Sequence, residues 1–367
     1  MDLPALRVID RLDRLWAWCA DNDVDWLYVQ SLPNIRWMTT FSGSTATALV
    51  DVSAKSIHLF VDGRYGAQAT TQCELAGASA EIHVLDGPDG KSNLMHRLVG
   101  AEDITFDPRE LTVAEHSHLS ATTSSKWLAR SSPFGLLRRV KDAAELARIA
   151  FSAHIADGAL RAVVAEGLAG HTERHVRNRL DTYMLDGGAD RASFDTIVAS
   201  GPNSAMPHHR PSDRIIESSD VVIIDMGAEV QGYRSDMTRT HVPTSASIEM
   251  RTMADIVREA QSVGVQAMGP GVDTFDIDEK VRAVFRRYGV EAEFIHGSGH
   301  GVGLVIHEEP LINRRQRLVL ESGEVVTMEP GLYRVGVGGV RIEDLVLITT
   351  DGREVLTHSP KELSCPQ

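Results

Sequence analysis

The sequence predicts an α/β domain followed by an α+β domain, and three observations carry that prediction. Strand-like and helix-like patterns alternate through the first third of the chain. A cluster of turn formers, Ser131-Ser-Pro-Phe-Gly135, closes the alternation. Beyond it, long helical patterns stand ahead of and between apolar runs that end in Gly-rich turns. The expected domains are residues 1–135 and 136–367.

Each element has a local reason. Arg7 to Asn22 sets Val8, Leu12, Leu15, Trp16 and Cys19 on one helical face. Strands are expected at Trp26–Gln30, Thr47–Asp51, Ile57–Asp62, Glu81–Leu85 and Ile104–Asp107, with a helix from Tyr65 to Ala76. In the second domain Asp142 is placed to cap a helix running to Glu166. A further helix, Thr172 to Leu185, stops at Gly187-Gly188. Strands follow at Phe194–Ser200, Val221–Met226 and Tyr233–His241, then helices at Ile248–Met268 and Thr274–Tyr288. Strands at Glu324–Met328 and Val340–Thr349 close the chain.

Composition removes several classes of function. A formal net charge of −14 with no Lys/Arg cluster disfavours nucleic acid as a partner. No run of eighteen apolar residues is present, so no membrane span is expected. The N-terminal segment carries Arg7, Asp10, Arg11, Asp13 and Arg14, which is unlike a secretory signal. Cys19, Cys73 and Cys365 are scattered, without metal-ligand or CxxC spacing. Buried or free thiols, and a cytoplasmic location, are expected.

The chemistry lies in five side chains of the second domain: Asp225, Asp236, His300, Glu329 and Glu343. Asp225 closes the apolar run Val221-Val-Ile-Ile, where a carboxylate is costly unless a cation or donors satisfy it. Asp225-Met-Gly227 leads through a turn to Asp236, and Glu329-Pro-Gly331 leads through a Gly-rich stretch to Glu343. In a hairpin the two strands lie about 5 Å apart, so each pair of acids can meet at one cation. Two such hairpins related by a pseudo-two-fold would bring four carboxylates to one centre. Taken singly, each acid has a plain alternative: an ion pair of Asp236 with Arg234 or Arg239, one of Glu343 with Arg341, or a turn acid at Asp225 and Glu329. Together, four carboxylates and an imidazole make a hard ligand set suited to two divalent cations, which points to a hydrolase.

Histidines complete the candidate site. His300 sits in His296-Gly-Ser-Gly-His-Gly-Val-Gly303, among glycines that pack no core and let backbone approach a ligand. His300 is the expected ligand, with His296 supporting it from behind. His208, between two prolines, and His307 are candidates to hydrogen-bond a substrate carbonyl, with His209 competing for the role of His208. The Gly-rich runs lack a Walker lysine and the flanks of a dinucleotide motif.

At these motifs the chain resembles the creatinase/aminopeptidase P/prolidase family of metallopeptidases, which has the pita-bread fold. The motifs are Ile224-Asp-Met-Gly227, Ser235-Asp-Met-Thr238, Gly299-His-Gly-Val-Gly303, Met328-Glu-Pro-Gly331 and Arg341-Ile-Glu-Asp344. Leu32-Pro-Asn-Ile-Arg-Trp37, Phe41-Ser-Gly43 and Val61-Asp-Gly-Arg-Tyr65 extend the likeness to the family's N-terminal domain. The resemblance implies that Asp225 chelates one metal, that His300 with Glu329 chelates the other, and that Asp236 and Glu343 bridge both. It implies a metal-bridged hydroxide as nucleophile and Glu329 as the proton-transfer group. It gives His208 and His307 to substrate binding and places Arg341 beside the last ligand. Manganese is the first expectation for the two ions, with cobalt, zinc or iron as alternatives. A homodimer is implied, with Trp37 and Tyr65 as candidates for the wall a partner would complete.

Filled ligand positions weigh against a metal-independent, creatinase-like amidinohydrolase and against a non-catalytic peptide-binding module. The long first domain weighs against methionine aminopeptidase. Bacterial prolidases of the family commonly carry an Arg four residues after the second substrate histidine, where this chain has Leu311. That loss of a charge-assisted contact tilts the expectation toward an Xaa-Pro aminopeptidase acting on short proline-containing peptides. The Xaa-Pro dipeptidase is the alternative, with Arg314 or Arg315 standing in for the missing cation.

Overall fold

The computed structural model describes residues 3–85 and 90–363, in two compact units, Met1–Arg138 and Arg139–Gln367. The first unit is a mixed sheet with helices between its strands. Its order along the chain is α1 (Ile9–Asp21), β1 (Trp26–Val29), α2 (Leu32–Thr39), β2 (Thr47–Asp51), β3 (Ser56–Asp62), α3 (Gly66–Ala76) and β4 (Ala80–Leu85). Then come α4 (Gly90–Val99), β5 (Ile104–Phe106), α5 (Val113–Thr122), β6 (Trp127–Ala129) and α6 (Phe134–Leu137). The strands lie in the order β4-β3-β2-β1-β5-β6, antiparallel through β1–β3 and parallel at both flanks. Trp26, Tyr28, Leu49, Phe60 and Met95 form one core on this sheet. Trp37 is fully buried against Phe134, so it is a core aromatic and not a free wall. The Tyr65 hydroxyl is engaged by Ser44. Cys19 and Cys73 are buried free thiols, and Cys365 lies outside the described residues.

The second unit opens with α7 (Ala143–Glu166) and α8 (Glu173–Asp186). Asp142 caps α7 as its position predicts, accepting from the Ala144 and Glu145 amides, while Glu145 accepts from the Asp142 amide. Strands β7 (Arg191–Ala192), β8 (Ile197–Ser200), β9 (Val222–Met226), β10 (Ala228–Val230), β11 (Tyr233–Arg234) and β12 (Met237–His241) follow. Helices α9 (Ile248–Ala267) and α10 (Thr274–Arg287) come next. The chain then runs through β13 (Gly299–Gly301), β14 (Glu308–Ile312), β15 (Val325–Met328), β16 (Gly331–Arg334), β17 (Gly338–Arg341), β18 (Asp344–Ile348) and β19 (Arg353–Val355). Apolar faces of α9 and α10, including Val257, Ala260, Val281 and Phe285, pack with Met328, Leu332, Val340 and Val346 of the sheets.

Two expected strands are broken, and the breaks matter. Tyr233–His241 divides into β11 and β12 around Ser235–Asp236, and Val340–Thr349 divides into β17 and β18 around Ile342–Glu343. In each case the chain leaves one sheet for another: β11 pairs β10 and β12 pairs β9, just as β17 pairs β16 and β18 pairs β15. An outer antiparallel ladder thus encloses an inner hairpin twice over, β9[β10–β11]β12 and β15[β16–β17]β18. The acids fall where the outer ladder ends. Asp225 lies opposite Thr238, one residue before the Met226–Met237 pair, and Glu329 and Glu343 flank the Met328–Asp344 pair. Gly227 makes the first crossing possible, because a Cβ there would stand 1.9 Å from the Ser235 carbonyl oxygen. The Phe194–Ser200 strand is shorter than expected and begins at Ile197. Among the described residues no helix is long and apolar enough to cross a membrane.

Candidate metal centre

The two nested ladders bring the predicted acids, and the neighbouring β13 brings His300, to one cavity of about 520 Å³. Asp225, Asp236, His296, His300, Glu329, Arg341 and Glu343 line it together with His208, His209, Arg210, His307 and Leu311. One ligand atom each from Asp236, His300 and Glu343 lies within 4.8 Å of the others. His300 sits on β13 at a bulge, with neighbours that have to be glycine: a Cβ on Gly299 would meet the Thr327 carbonyl oxygen at 2.1 Å. The crowding that made a core histidine a poor reading is therefore backbone packed on backbone.

His300 is oriented by its own strand. Nδ1 lies 3.0 Å from the Gly301 carbonyl oxygen, which can only accept, so the proton sits on Nδ1 and the Nε2 lone pair is free. Nε2 faces Glu329 Oε1 at 3.4 Å and Asp236 Oδ2 at 3.5 Å. Burial, with His307 adding to it, holds the imidazole near pKa 3, so it stays neutral. A lone pair aimed at two carboxylate oxygens is repulsive until a cation lies among them.

The carboxylates tell the same story. Asp236 is held well above the usual carboxylate range by burial, then by Glu343, Asp225 and Glu329. Glu343 is raised likewise by burial and by Glu329 and Asp225. Burial pushes Glu329 up to about 7 against the pull of Arg341, with Asp225 adding to the rise. Asp225 Oδ1 is buried and accepts no hydrogen bond. Three acids with raised affinity for protons, an orphaned oxygen on the fourth and a neutral imidazole fit divalent cations.

Behind these groups runs a chain of donors that the sequence only partly disclosed. Arg341 does not pair with Glu343; its Nη2 donates to Asp225 Oδ2 at 2.6 Å, its Nε to Thr238 Oγ1 at 3.0 Å and its Nη1 to the Tyr333 hydroxyl at 2.8 Å. Thr238 in turn donates to Glu343 Oε2 at 2.7 Å. His296 Nδ1 donates to the Gly297 carbonyl at 2.8 Å, so its Nε2 accepts from Tyr333 at 3.0 Å. Burial, then the Arg341 charge, hold His296 neutral with a pKa of about 4. The ion-pair alternative for Asp236 also fails: Arg234 pairs with Glu229, and Arg239 with Asp344. Tyr333 carries no motif that sequence reasoning could have used.

His208 and His307 are exposed and line the same cavity, and the His307 ring lies 4.3 Å from that of His300. His209 is taken up by Glu173, its Nε2 2.8 Å from Oε2, which leaves His208 as the accessible imidazole of that loop. Leu311 pairs directly across from His300 on β14. Arg314 and Arg315 do not fill its place: neither lines the cavity, and Arg314 is bound to Glu279 and Glu291 at 2.6 and 2.7 Å. The lining arginines are Arg341, committed to Asp225, and Arg210, which sequence reasoning passed over.

Comparison with known proteins places these features in company. The profile of Metallopeptidase family M24 matches residues 145–350, and that of the Creatinase/Prolidase N-terminal domain matches residues 11–140. An Xaa-Pro dipeptidase of Pyrococcus furiosus is 44% identical over 227 residues, 62% of this chain and 65% of that protein. The structure of an Xaa-Pro dipeptidase from Bacillus anthracis superposes with a TM-score of 0.91 at 33% identity, covering 98% of this chain and 100% of that one. An X-Pro aminopeptidase from Thermotoga maritima is similar at a TM-score of 0.87 and 29% identity, covering 97% and 99%.

Proposed function

The chain belongs to metallopeptidase family M24, with the creatinase/prolidase N-terminal domain, and from that premise we propose that it is an Xaa-Pro dipeptidase with a dinuclear manganese centre. The family implies two metal ions. Asp225, Asp236, His300, Glu329 and Glu343 would hold them, a reading supported by the free His300 lone pair and the unsatisfied Asp225 oxygen. When bound, such ions lower the pKa of water and polarise a carbonyl.

The protein's own groups divide the remaining work. Glu329, half-buried at the cavity edge, carries the proton from the attacking water to the proline nitrogen that leaves. His208 and His307 donate to the carbonyl oxygen as charge develops on it. Thr238 and Arg341 hold Glu343 and Asp225 in place through their hydrogen bonds.

The observation that carries the dipeptidase reading is a cation on the cavity wall. Leu311 favoured the aminopeptidase, but Arg210 lines the same cavity beside His208 and supplies a guanidinium for the free carboxylate of a dipeptide. The dipeptidase relatives support the same choice. Arg210→Ala is expected to raise KM for an Xaa-Pro dipeptide about 10-fold or more and to leave a C-terminally amidated substrate unaffected. Equal effects on both would remove Arg210 from the reading. Metal counting on the same protein should give two manganese ions per chain, with His300→Ala losing at least one. The protein is further proposed to work as a homodimer, which light scattering would test, and in the cytoplasm, where the free thiols Cys19 and Cys73 are at home.

A further inference from the structure

The loop that carries His208 is tied at both ends to one buried carboxylate, with Arg341 Nη1 reaching the Pro207 carbonyl at 3.4 Å as a further contact. Glu173 opens α8 and is 0% exposed. A buried carboxylate in that position is costly unless donors satisfy it, and every donor it has comes from residues 200–212. Its Oε1 accepts from the Ser200 amide at 2.8 Å, the Ser200 hydroxyl at 2.7 Å and Asn203 Nδ2 at 2.9 Å. Its Oε2 accepts from His209 Nε2 at 2.8 Å, the Ser212 amide at 3.0 Å and the Ser212 hydroxyl at 2.6 Å. One oxygen therefore fastens the start of the loop and the other its end, with His208 between them. Thr172 caps the same helix, and the α8 N-terminus adds its positive end to the stabilisation of the carboxylate.

The consequence reaches the cavity. Pro207, His208, His209, Arg210 and Pro211 all line it, and all lie between the two fastened ends. The two prolines stiffen the span, but the direction in which it projects is set where it is tied. The tie to His209 also withdraws that imidazole from competition and leaves its neighbour facing the substrate space.

We propose that Glu173 is a positioning residue of the active site, holding the 200–212 loop so that His208 reaches the scissile carbonyl. The proposal rests on the role given to His208 above. It differs from a purely structural role for Glu173 in one measurable way, since a group that acts through His208 has no catalytic effect left once His208 is gone.

The test is a double-mutant cycle on the full-length, manganese-loaded protein: wild type, Glu173→Gln, His208→Ala and the double variant. Each is assayed for kcat and KM on an Xaa-Pro dipeptide, with metal content and melting temperature in parallel. Gln keeps the shape but turns a donor toward a cluster of donors, so the loop is released at one end. Glu173→Gln is expected to lower kcat about 10- to 100-fold, the cost of displacing a reacting group by about 1 Å. Two manganese ions per chain should be retained. In the His208→Ala background the same substitution should lower kcat less than about 3-fold, whatever KM change comes through Arg210 of the same loop. An equal loss of kcat in both backgrounds, or wild-type kcat in Glu173→Gln, would overturn the proposal. Wild-type turnover in His208→Ala alone would strike the role of His208 itself, and the proposal with it. If Glu173→Gln does not fold, Ser212→Ala removes one donor more gently, and the same cycle should show a smaller loss with the same non-additivity.

Discussion

Replacing Arg341 with methionine should weaken the metal-free protein far more than the metal-loaded one. The guanidinium is buried and reaches Asp225 at 2.6 Å, Thr238 at 3.0 Å and Tyr333 at 2.8 Å, so it is the cation built into a group of four acids. Methionine keeps the apolar stem and removes the charge. Breaking a buried pair while leaving its partner in place costs about 3–5 kcal/mol. For a unit of this size about 1 kcal/mol moves the melting temperature by about 2–4 °C, so a drop of about 6–20 °C is expected in chelator. Bound divalent ions give Asp225 another partner, and in excess manganese the gap should shrink to half or less. Thermal unfolding followed by circular dichroism, with and without manganese, reads both numbers. A gap below about 2 °C in chelator, or one of the same size in manganese, would refute the idea that Arg341 stands in for positive charge at this centre.

Three further outcomes follow from the same geometry. Burial raises the Glu173 carboxyl, but hydrogen bonds from Ser212, Asn203 and His209 outweigh it and bring it down from the ordinary 4.5 to about 2. Because the folded value is the lower one, its stabilisation is complete above about pH 4.5 and is lost as pH falls toward 2. The stability difference between wild type and Glu173→Gln should therefore shrink by about 3 kcal/mol across that window, and denaturant titrations showing no such trend would contradict it. Gly299→Ala forces a Cβ to 2.1 Å from the Thr327 carbonyl oxygen, backbone that cannot step aside. It should cost about 1–3 kcal/mol and loosen manganese binding through His300, whereas unchanged metal affinity would show that β13 can shift freely. Gly227→Ala should behave similarly through Asp225 and Asp236, with its Cβ placed 1.9 Å from Ser235; retained two-metal stoichiometry at wild-type affinity would argue otherwise.

Much of this centre was legible in the sequence because its cost was legible. An acid at the end of Val221-Val-Ile-Ile, and a histidine among glycines, are poor choices for a core and good ones for a cation, and the family resemblance drawn from those motifs is borne out by the M24 and creatinase/prolidase matches. The capping of α7 by Asp142 was equally open, since capping is local chemistry. What escaped was whatever depends on a neighbour distant in the chain. The breaks at Asp236 and Glu343 left no trace because nearly all the residues on both sides are buried in one sheet or the other, and neither segment carries a Gly or Pro at the break. Helices α4 and α5 were missed because they bury so little: Ser92, Met95 and Val99 in one, Leu119 in the other. Tyr333 and Glu173 were missed because their partners lie on other elements, and Arg210 because only the fold brings its loop to the cavity. Leu311 tilted the expectation toward the aminopeptidase, whereas the proposed dipeptidase reading takes its cation, Arg210, from another loop of the cavity.

The most direct test sets an Xaa-Pro dipeptide beside an Xaa-Pro-Xaa tripeptide, each with manganese and with chelator. Turnover of the dipeptide, abolished by chelator and restored by manganese, with the tripeptide cleaved at least about 10-fold less efficiently, is the predicted result. Preferred cleavage of the tripeptide would contradict the dipeptidase reading and return Leu311 to importance. Turnover that persists in chelator with no metal bound would contradict the metal centre itself.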